Sequence, residues 1–347
     1  MTGEVGNLIN HIRDRNCNKC YNLSFAVFVF LFINISFGYS QDARPRQRIY
    51  FVSDAQAPLP VEKIFLKAYR NEEARDSLFA DIIHRHPGNL FMLGDMTSRG
   101  SDEKAWVPLD TFRNSLRKTN TKIYAIPGNH EYKSSSSVGI QLFKDRFPER
   151  WLNGYCINVD SIAIEMLNSN FSDLSKDEIS KQLTRYRSEM DSMDRDPATR
   201  AIIVCTHQAP YSNSKAVGSD KEVANLIVPV FTKSQKSILF ISGHSHNLEY
   251  FSDTIGKHFL VIGGGGGLTQ PLIPMNEPRC NDLLNQNVKP VYFYLVIEKN
   301  GNCLKLFARG FKKDFRFFEL EIGTICRQIN SPPPPEVDFF LTLADLF

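Results

Sequence analysis

From Arg48 the chain alternates short, almost wholly apolar runs with longer stretches whose apolar positions recur every three or four residues. Runs rich in β-branched and aromatic residues predict strands at Ile49–Val52, Leu90–Leu93, Lys122–Ile126, Tyr155–Val159, Ile162–Leu167, Ala201–Cys205, Ile238–Ile241 and Phe259–Ile262. Three more follow without intervening helix, at Val291–Ile297, Leu304–Ala308 and Phe317–Ile322. Helical spacing predicts helices over Val61–Arg85, Asp102–Lys118, Val138–Phe147, Lys176–Met193 and Asp220–Lys233. In the fourth, Ile179, Leu183, Tyr186 and Met190 share one face. Alternating β and α followed by consecutive strands predicts an α/β domain whose later sheet is antiparallel or mixed.

Both ends fall outside this pattern. Leu23–Ile35 is an apolar run of 13 residues broken only by Ser24 and Asn34, preceded by His11, Arg13, Arg15 and Lys19 and followed by small and polar residues up to Gln41. That is the layout of a secretory signal peptide over residues 1–40. It is short of the about 20 residues a membrane span needs; an uncleaved anchor is the alternative. The expected location is secreted or periplasmic, with membrane contact only if the segment stays attached. Residues 328–347 contain four consecutive prolines, a stiff spacer, then an apolar tail, Phe339–Phe347.

The 347 residues are 42% hydrophobic and 23% charged, enough to bury a large core. A net charge of +3 is too mild to imply a nucleic-acid partner, yet would not repel a phosphate. Cys17 and Cys20 lie in the leader; the remaining Cys156, Cys205, Cys280, Cys303 and Cys326 are odd in number, so they cannot all pair within one chain. Gly263–Gly267 demands a tight turn or a close approach, either purely structural or bordering a site; no Lys-Ser/Thr follows to make a phosphate-cradling loop.

Candidate chemistry collects where predicted strands end: Ser53-Asp54-Ala55-Gln56, Gly94-Asp95, Gly128-Asn129-His130-Glu131, Thr206-His207 and Gly243-His244-Ser245-His246. In open α/β sheets ligands gather at the carboxyl ends of strands. Taken singly, each motif has an ordinary explanation as a turn, a cap or a core histidine. Five in order, each closing a strand, are hard to obtain by accident. The donors are carboxylate, amide and imidazole, suited to Mn, Fe or Zn, with no thiolate among them.

This series, D-x-[HGQ], GD, GNHE, TH and GHSH, resembles that of the calcineurin-like metallophosphoesterases, including the purple acid phosphatases, over roughly Arg48 to Ile322. The resemblance implies a four-layer α/β/β/α sandwich of two mixed sheets flanked by helices, with two divalent or trivalent ions at the strand ends. It implies that Asp54 and His246 hold the first ion and Asn129, His207 and His244 the second, with Asp95 bridging. His130 would face the substrate, and a water between the metals would attack the phosphorus. Glu131 is expected to fix its loop from behind.

Gln56 departs from the pattern. Many relatives carry a histidine there, and the purple acid phosphatase substitute, a tyrosine three residues after the GD aspartate, is here Ser98. An amide oxygen is a weaker donor than imidazole, so Gln56 is either a weak ligand or a spectator. Arg99, in Gly94–Gly100, could hold a substrate phosphate or make a structural salt bridge. Asn168-Ser169-Asn170 and Tyr211 are expected near the site, and Asn170-Phe171-Ser172 is a glycosylation sequon in a eukaryotic host. The expected activity is hydrolysis of phosphate esters, monoesters of small molecules ahead of diesters. A weakened phosphoesterase scaffold serving as a secreted binding protein is the rival.

Overall fold

The computed structural model describes residues 47–326 apart from 60–61, 64–69, 149–153, 275 and 286. The leader, the proline-rich tail and the front of the helix expected from Val61 lie outside the described residues.

Among the described residues twelve strands form two six-stranded sheets. In chain order the described elements are β1 (Arg48–Val52), α1 (Asn71–His84), β2 (Asn89–Met92), α2 (Val107–Arg117), β3 (Lys122–Ala125), α3 (Asn129–Tyr132), α4 (Ser136–Arg146), β4 (Tyr155–Val159), β5 (Ile162–Met166), α5 (Lys176–Arg195) and β6 (Ala201–Cys205). There follow α6 (Lys221–Leu226), α7 (Val228–Lys233), β7 (Ser237–Ser242), β8 (Leu248–Ser252), β9 (His258–Ile262), β10 (Tyr292–Asn300), β11 (Cys303–Phe311) and β12 (Phe318–Cys326). The first sheet runs β12-β11-β10-β1-β2-β3 and the second β4-β5-β6-β7-β9-β8. Both are mixed: β1, β2 and β3 are mutually parallel, as are β5, β6, β7 and β9, and antiparallel strands complete each sheet.

Why the sheets stack follows from the two-residue period of a strand. In β1, Ile49 and Phe51 join a core with Ile203 and Cys205 of β6 and Leu239 and Ile241 of β7, between the sheets. Tyr50 and Val52 point the other way, onto Leu78 and Ile82 of α1, Phe112 of α2 and Phe143 of α4. On the second sheet, Ile202 and Val204 meet Tyr186 and Met190 of α5 and Phe231 of α7. Strands apolar on both faces are what a sheet buried on both sides requires. The result is the expected four-layer α/β/β/α sandwich.

Three details differ from the sequence reading or complete it. Strand β8 has no counterpart in it: Glu249 interrupts an otherwise apolar run, yet is fully buried. The helix expected over Asp220–Lys233 is two short helices meeting at Ile227, where Pro229 sits in the first turn of α7. Cys303 and Cys326, facing one another across β11 and β12, form a disulfide, which leaves Cys156, Cys205 and Cys280 free. Among the described residues no helix is long and apolar enough to cross a membrane.

Candidate metal centre

Five loops converge at the carboxyl ends of β1, β2, β3, β6 and β7, and backbone bonds knit them together. Asp54 N–H donates to the Gly94 carbonyl (3.1 Å), Gln56 N–H to the Asp95 carbonyl (3.0 Å) and Gly243 N–H to the His207 carbonyl (2.9 Å). Asp54, Asp95 and His244 hold left-handed backbone, at φ 61°, 53° and 63°. Non-glycine residues adopt that region at a cost, and such outliers cluster at functional sites. At Gly128 there is no room for a side chain: a Cβ would collide with the Asp95 carboxylate.

The side chains so placed meet. Asp95, His207 and His244 form one group whose ligand atoms lie within 4.8 Å of one another, and Asp54, Asp95 and His246 form a second. Asp95 belongs to both. Its Oδ1 lies 3.4 Å from His207 Nε2, and Asp54 Oδ1 lies 3.3 Å from His246 Nε2. Asn129 Oδ1 is 3.1 Å from His207 Nε2, which adds an oxygen donor to the first group. The outward ring nitrogens are anchored: His207 Nδ1 bonds the Leu93 carbonyl (2.8 Å) and His246 Nδ1 the Leu268 carbonyl (2.6 Å). That anchorage fixes ring orientation as in supported metal sites.

The electrostatics follow from burying carboxylates among histidines. Burial alone would raise Asp95, but His207, then His130 and His244, hold it well below the usual carboxylate range. Asp54 is likewise lowered against burial, chiefly by its bond to His246. Burial works against a charged His207, and the two carboxylates, Asp95 first, lift it to about 9. Burial, then the His207 charge, drop His244 to about 4. Both carboxylates therefore stay ionised, as a cation site requires.

His130 stands beside the groups, its Nε2 3.8 Å from Asp95 Oδ2 and its backbone N–H donating to Asp95 Oδ1 (2.8 Å). Its Nδ1 bonds the Ser98 carbonyl at 2.9 Å. Glu131 is fully buried behind the loop. One of its oxygens accepts from Asp95 N–H (2.9 Å) and Gly128 N–H (2.6 Å), the other from Met96 N–H (2.9 Å) and Thr97 N–H (3.2 Å). Two metal-facing loops are thus tied to one carboxylate.

Gln56 reaches the cluster. Its Nε2 lies 3.3 Å from Asp95 Oδ2 and 3.1 Å from His246 Nε2, while its Oε1 is buried without a partner. Gly263–Gly267 borders the site as well as turning tightly: Gly265 N–H donates to the Ser53 carbonyl (2.9 Å) and Gly267 N–H to the Asp54 carbonyl (2.8 Å). Asn168, Ser169 and Asn170 are buried in a network with Gln208 and Tyr132, which links the β3 and β6 loops.

Other expectations do not carry over. Asn170 donates from Nδ2 to the Pro127 carbonyl (3.0 Å) and to Asn168 Oδ1 (2.9 Å), so its amide is not available for glycosylation in the folded chain. Tyr211 packs edge-on against Phe259, ring centroids 4.8 Å apart, in the outer core of the second sheet rather than at the site. Arg99, by contrast, stays near the cluster: it is exposed, and its charge acts on Lys133 beside His130. Lys133 went unremarked in the sequence, though three residues beyond His130 in a helical turn puts it on the same side; its ammonium bonds His130 Nε2. Glu249 was missed too: it accepts from Ser212 Oγ (2.7 Å), Asn213 N–H (2.7 Å) and Ser245 Oγ (3.2 Å), bracing the turn between His244 and His246.

A family model described as calcineurin-like phosphoesterase matches residues 47–248, more than half of the chain. The chain belongs to the calcineurin-like phosphoesterases. The fold is shared with solved structures at 15% identity. GAP50, the anchor in the inner membrane complex of Plasmodium, matches with a TM-score of 0.56 over 87% of this chain and 95% of its own. The purple acid phosphatase PPD1 from yellow lupin seeds matches at 0.60 over 82% of this chain and 54% of its own. A dimetal phosphatase from Danio rerio matches at 0.51 over 82% and 100%. No curated protein matches the phosphoesterase chain by sequence.

Proposed function

We propose that this calcineurin-like phosphoesterase is an exported, metal-dependent hydrolase of phosphate esters, monoesters ahead of diesters. The observation that carries the reading is that Asp95 is common to two groups of donors. Its two carboxylate oxygens let one residue serve two ions. The residues fit such ions: they supply oxygen and imidazole without thiolate, and Gln56 Oε1 is an orphaned acceptor beside the Asp54 group.

In this reading Asp54 and His246 hold one ion, with Gln56 able to add its amide oxygen after rotation. Asn129, His207 and His244 hold the other, and Asp95 holds both. When bound, a pair of ions supplies Lewis acidity toward the phosphoryl oxygens and makes water nucleophilic near neutral pH. As the imidazolium, His130 hands a proton from Nε2 to the departing oxygen while its Nδ1–H is held by the Ser98 carbonyl; in the neutral ring Nε2 is an acceptor. Glu131 keeps the Asp95 and Gly128 backbones in place. No protein nucleophile is required, so Ser53 and Cys205 carry no chemical role; Ser53 Oγ donates to the Leu93 carbonyl (3.0 Å). Export is supported by the apolar leader and by the Cys303–Cys326 disulfide, which suits an oxidising compartment.

A second reading, a binding scaffold with little turnover, is favoured by the likeness to GAP50 and by Gln56 in place of a histidine. Metal analysis of the purified chain, with phosphomonoester and phosphodiester assays under Mn, Fe and Zn, separates the two. Two ions per chain and turnover lost in Asp95→Asn support the hydrolase. One ion or none, with no ester turned over, refutes it in favour of the scaffold.

A further inference from the structure

We propose that Lys133 is a substrate-binding residue that takes a non-bridging oxygen of a doubly charged phosphate monoester beside the Asp95 cluster; this rests on the phosphoesterase reading above. Lys133 leaves the end of α3 in extended backbone, and Ser134 after it is left-handed at φ 74°. The turn carries a part-buried ammonium back onto His130 Nε2, the ring atom 3.8 Å from Asp95 Oδ2. Because His130 Nδ1 is committed to the Ser98 carbonyl, it carries the hydrogen and Nε2 is left as an acceptor.

The buried lysines show what a structural ammonium looks like in this fold. Lys257 Nζ donates to the Ser234 carbonyl (2.6 Å), the Ser237 carbonyl (2.7 Å) and Ser237 Oγ (2.8 Å). Lys289 Nζ meets the Leu248 carbonyl (2.6 Å) and Asp282 Oδ2 (2.5 Å). Lys133 Nζ has only His130 among the described residues, and no carboxylate lies within ion-pair distance. Two of its three N–H donors therefore have no protein partner among the described residues and are open to a ligand. A phosphate oxygen at the cluster would satisfy them. Exposed Arg99 adds positive charge nearby, acting on Lys133. A monoester carries close to two negative charges at neutral pH and a diester one, so an extra cation favours the monoester.

The test uses the full chain loaded with manganese, as wild type, Lys133→Ala and Lys133→Arg. Bound manganese per chain, calorimetric affinity for inorganic phosphate, and KM for a nitrophenyl phosphate monoester and diester are measured. Lys133→Ala should keep its manganese, lose about 10-fold or more in phosphate affinity, and raise the monoester KM by a similar factor. The diester KM should change by less than about threefold, and Lys133→Arg should restore much of the phosphate affinity. Unchanged phosphate affinity in Lys133→Ala overturns the proposal even if esters are still hydrolysed, and equal losses on both esters overturn the monoester preference. A wild-type chain that takes up no manganese and hydrolyses neither ester overturns the phosphoesterase reading itself, and the role of Lys133 with it.

Discussion

Glu131→Gln is nearly isosteric, yet it should be among the most damaging single changes in the chain. The carboxylate accepts four backbone N–H groups, two per oxygen. A glutamine keeps one oxygen and turns the other into an NH2. Whichever way the amide sits, two backbone N–H groups face two side-chain N–H groups in a fully buried place. Stranding a buried donor costs about 1–3 kcal/mol, so two cost about 2–6 kcal/mol, out of a total stability on the order of 5–15 kcal/mol. Burial, then the Asp95 charge, push the Glu131 carboxyl up to about 7, so the comparison belongs near pH 8, where the side chain is ionised. Urea unfolding of metal-free wild type and variant at that pH measures the difference through the midpoint at constant slope. A loss under about 0.5 kcal/mol, the range of ordinary surface changes, would show that the four bonds do not hold the loops.

Three further outcomes are expected. His130→Asn should retain its metal by elemental analysis while kcat falls by a factor on the order of 10²–10⁴, and loss of metal would remove His130 from the proton-transfer role. Gln56→His should slow loss of the ion at Asp54 and His246 during dialysis, since imidazole outdoes an amide as a ligand; identical retention would make Gln56 a spectator. Asp81 accepts from Arg309 Nε (2.7 Å), Arg309 Nη2 (2.9 Å) and Tyr294 OH (2.6 Å), and these bonds lower its pKa against a burial that raises it. A lowered carboxyl contributes stability above its unfolded value of about 3.9 and loses it as pH falls through the folded value. Asp81→Asn should therefore be less stable than wild type at pH 7, with the gap closing below about pH 4 in urea titrations; a gap independent of pH would contradict this.

Much of the architecture was legible because the sheets are buried on both faces, so Ile49–Val52, Ala201–Cys205 and Ile238–Ile241 read as unbroken apolar runs. The donors were legible because each directly follows such a run, where the backbone turns and side chains converge. What escaped depends on partners distant in sequence. Glu249 reads as a break in a strand until Ser212, Asn213 and Ser245 arrive to satisfy it. Lys133 reads as an ordinary polar residue after a tyrosine until the turn carries it onto His130. Cys280, Cys303 and Cys326 lie near one another in the sequence, but only the register of β11 against β12 pairs the last two. Glu131 was expected to steady its loop; that it clasps two loops at once depends on Asp95 and Gly128 meeting in space.

The brace beneath Asp54 sets how little of the chain can be spared. All the proposed donors precede residue 247, and the stretch that identifies the family stops at 248. Yet β1 is paired on one side by β10, and the Ser53 and Asp54 carbonyls are gripped by Gly265 and Gly267, with Gly264 clasped by Phe293 (2.8 Å). Asn71 Nδ2 ties the same turn to α1 through the Gly266 and Gly267 carbonyls, each at 3.0 Å. A polypeptide shortened to the recognisable stretch would keep every coordinating atom and forfeit the geometry of the first. On the two-ion reading, the ion proposed for Asp54 and His246 would leave first, although none of its ligands had been touched.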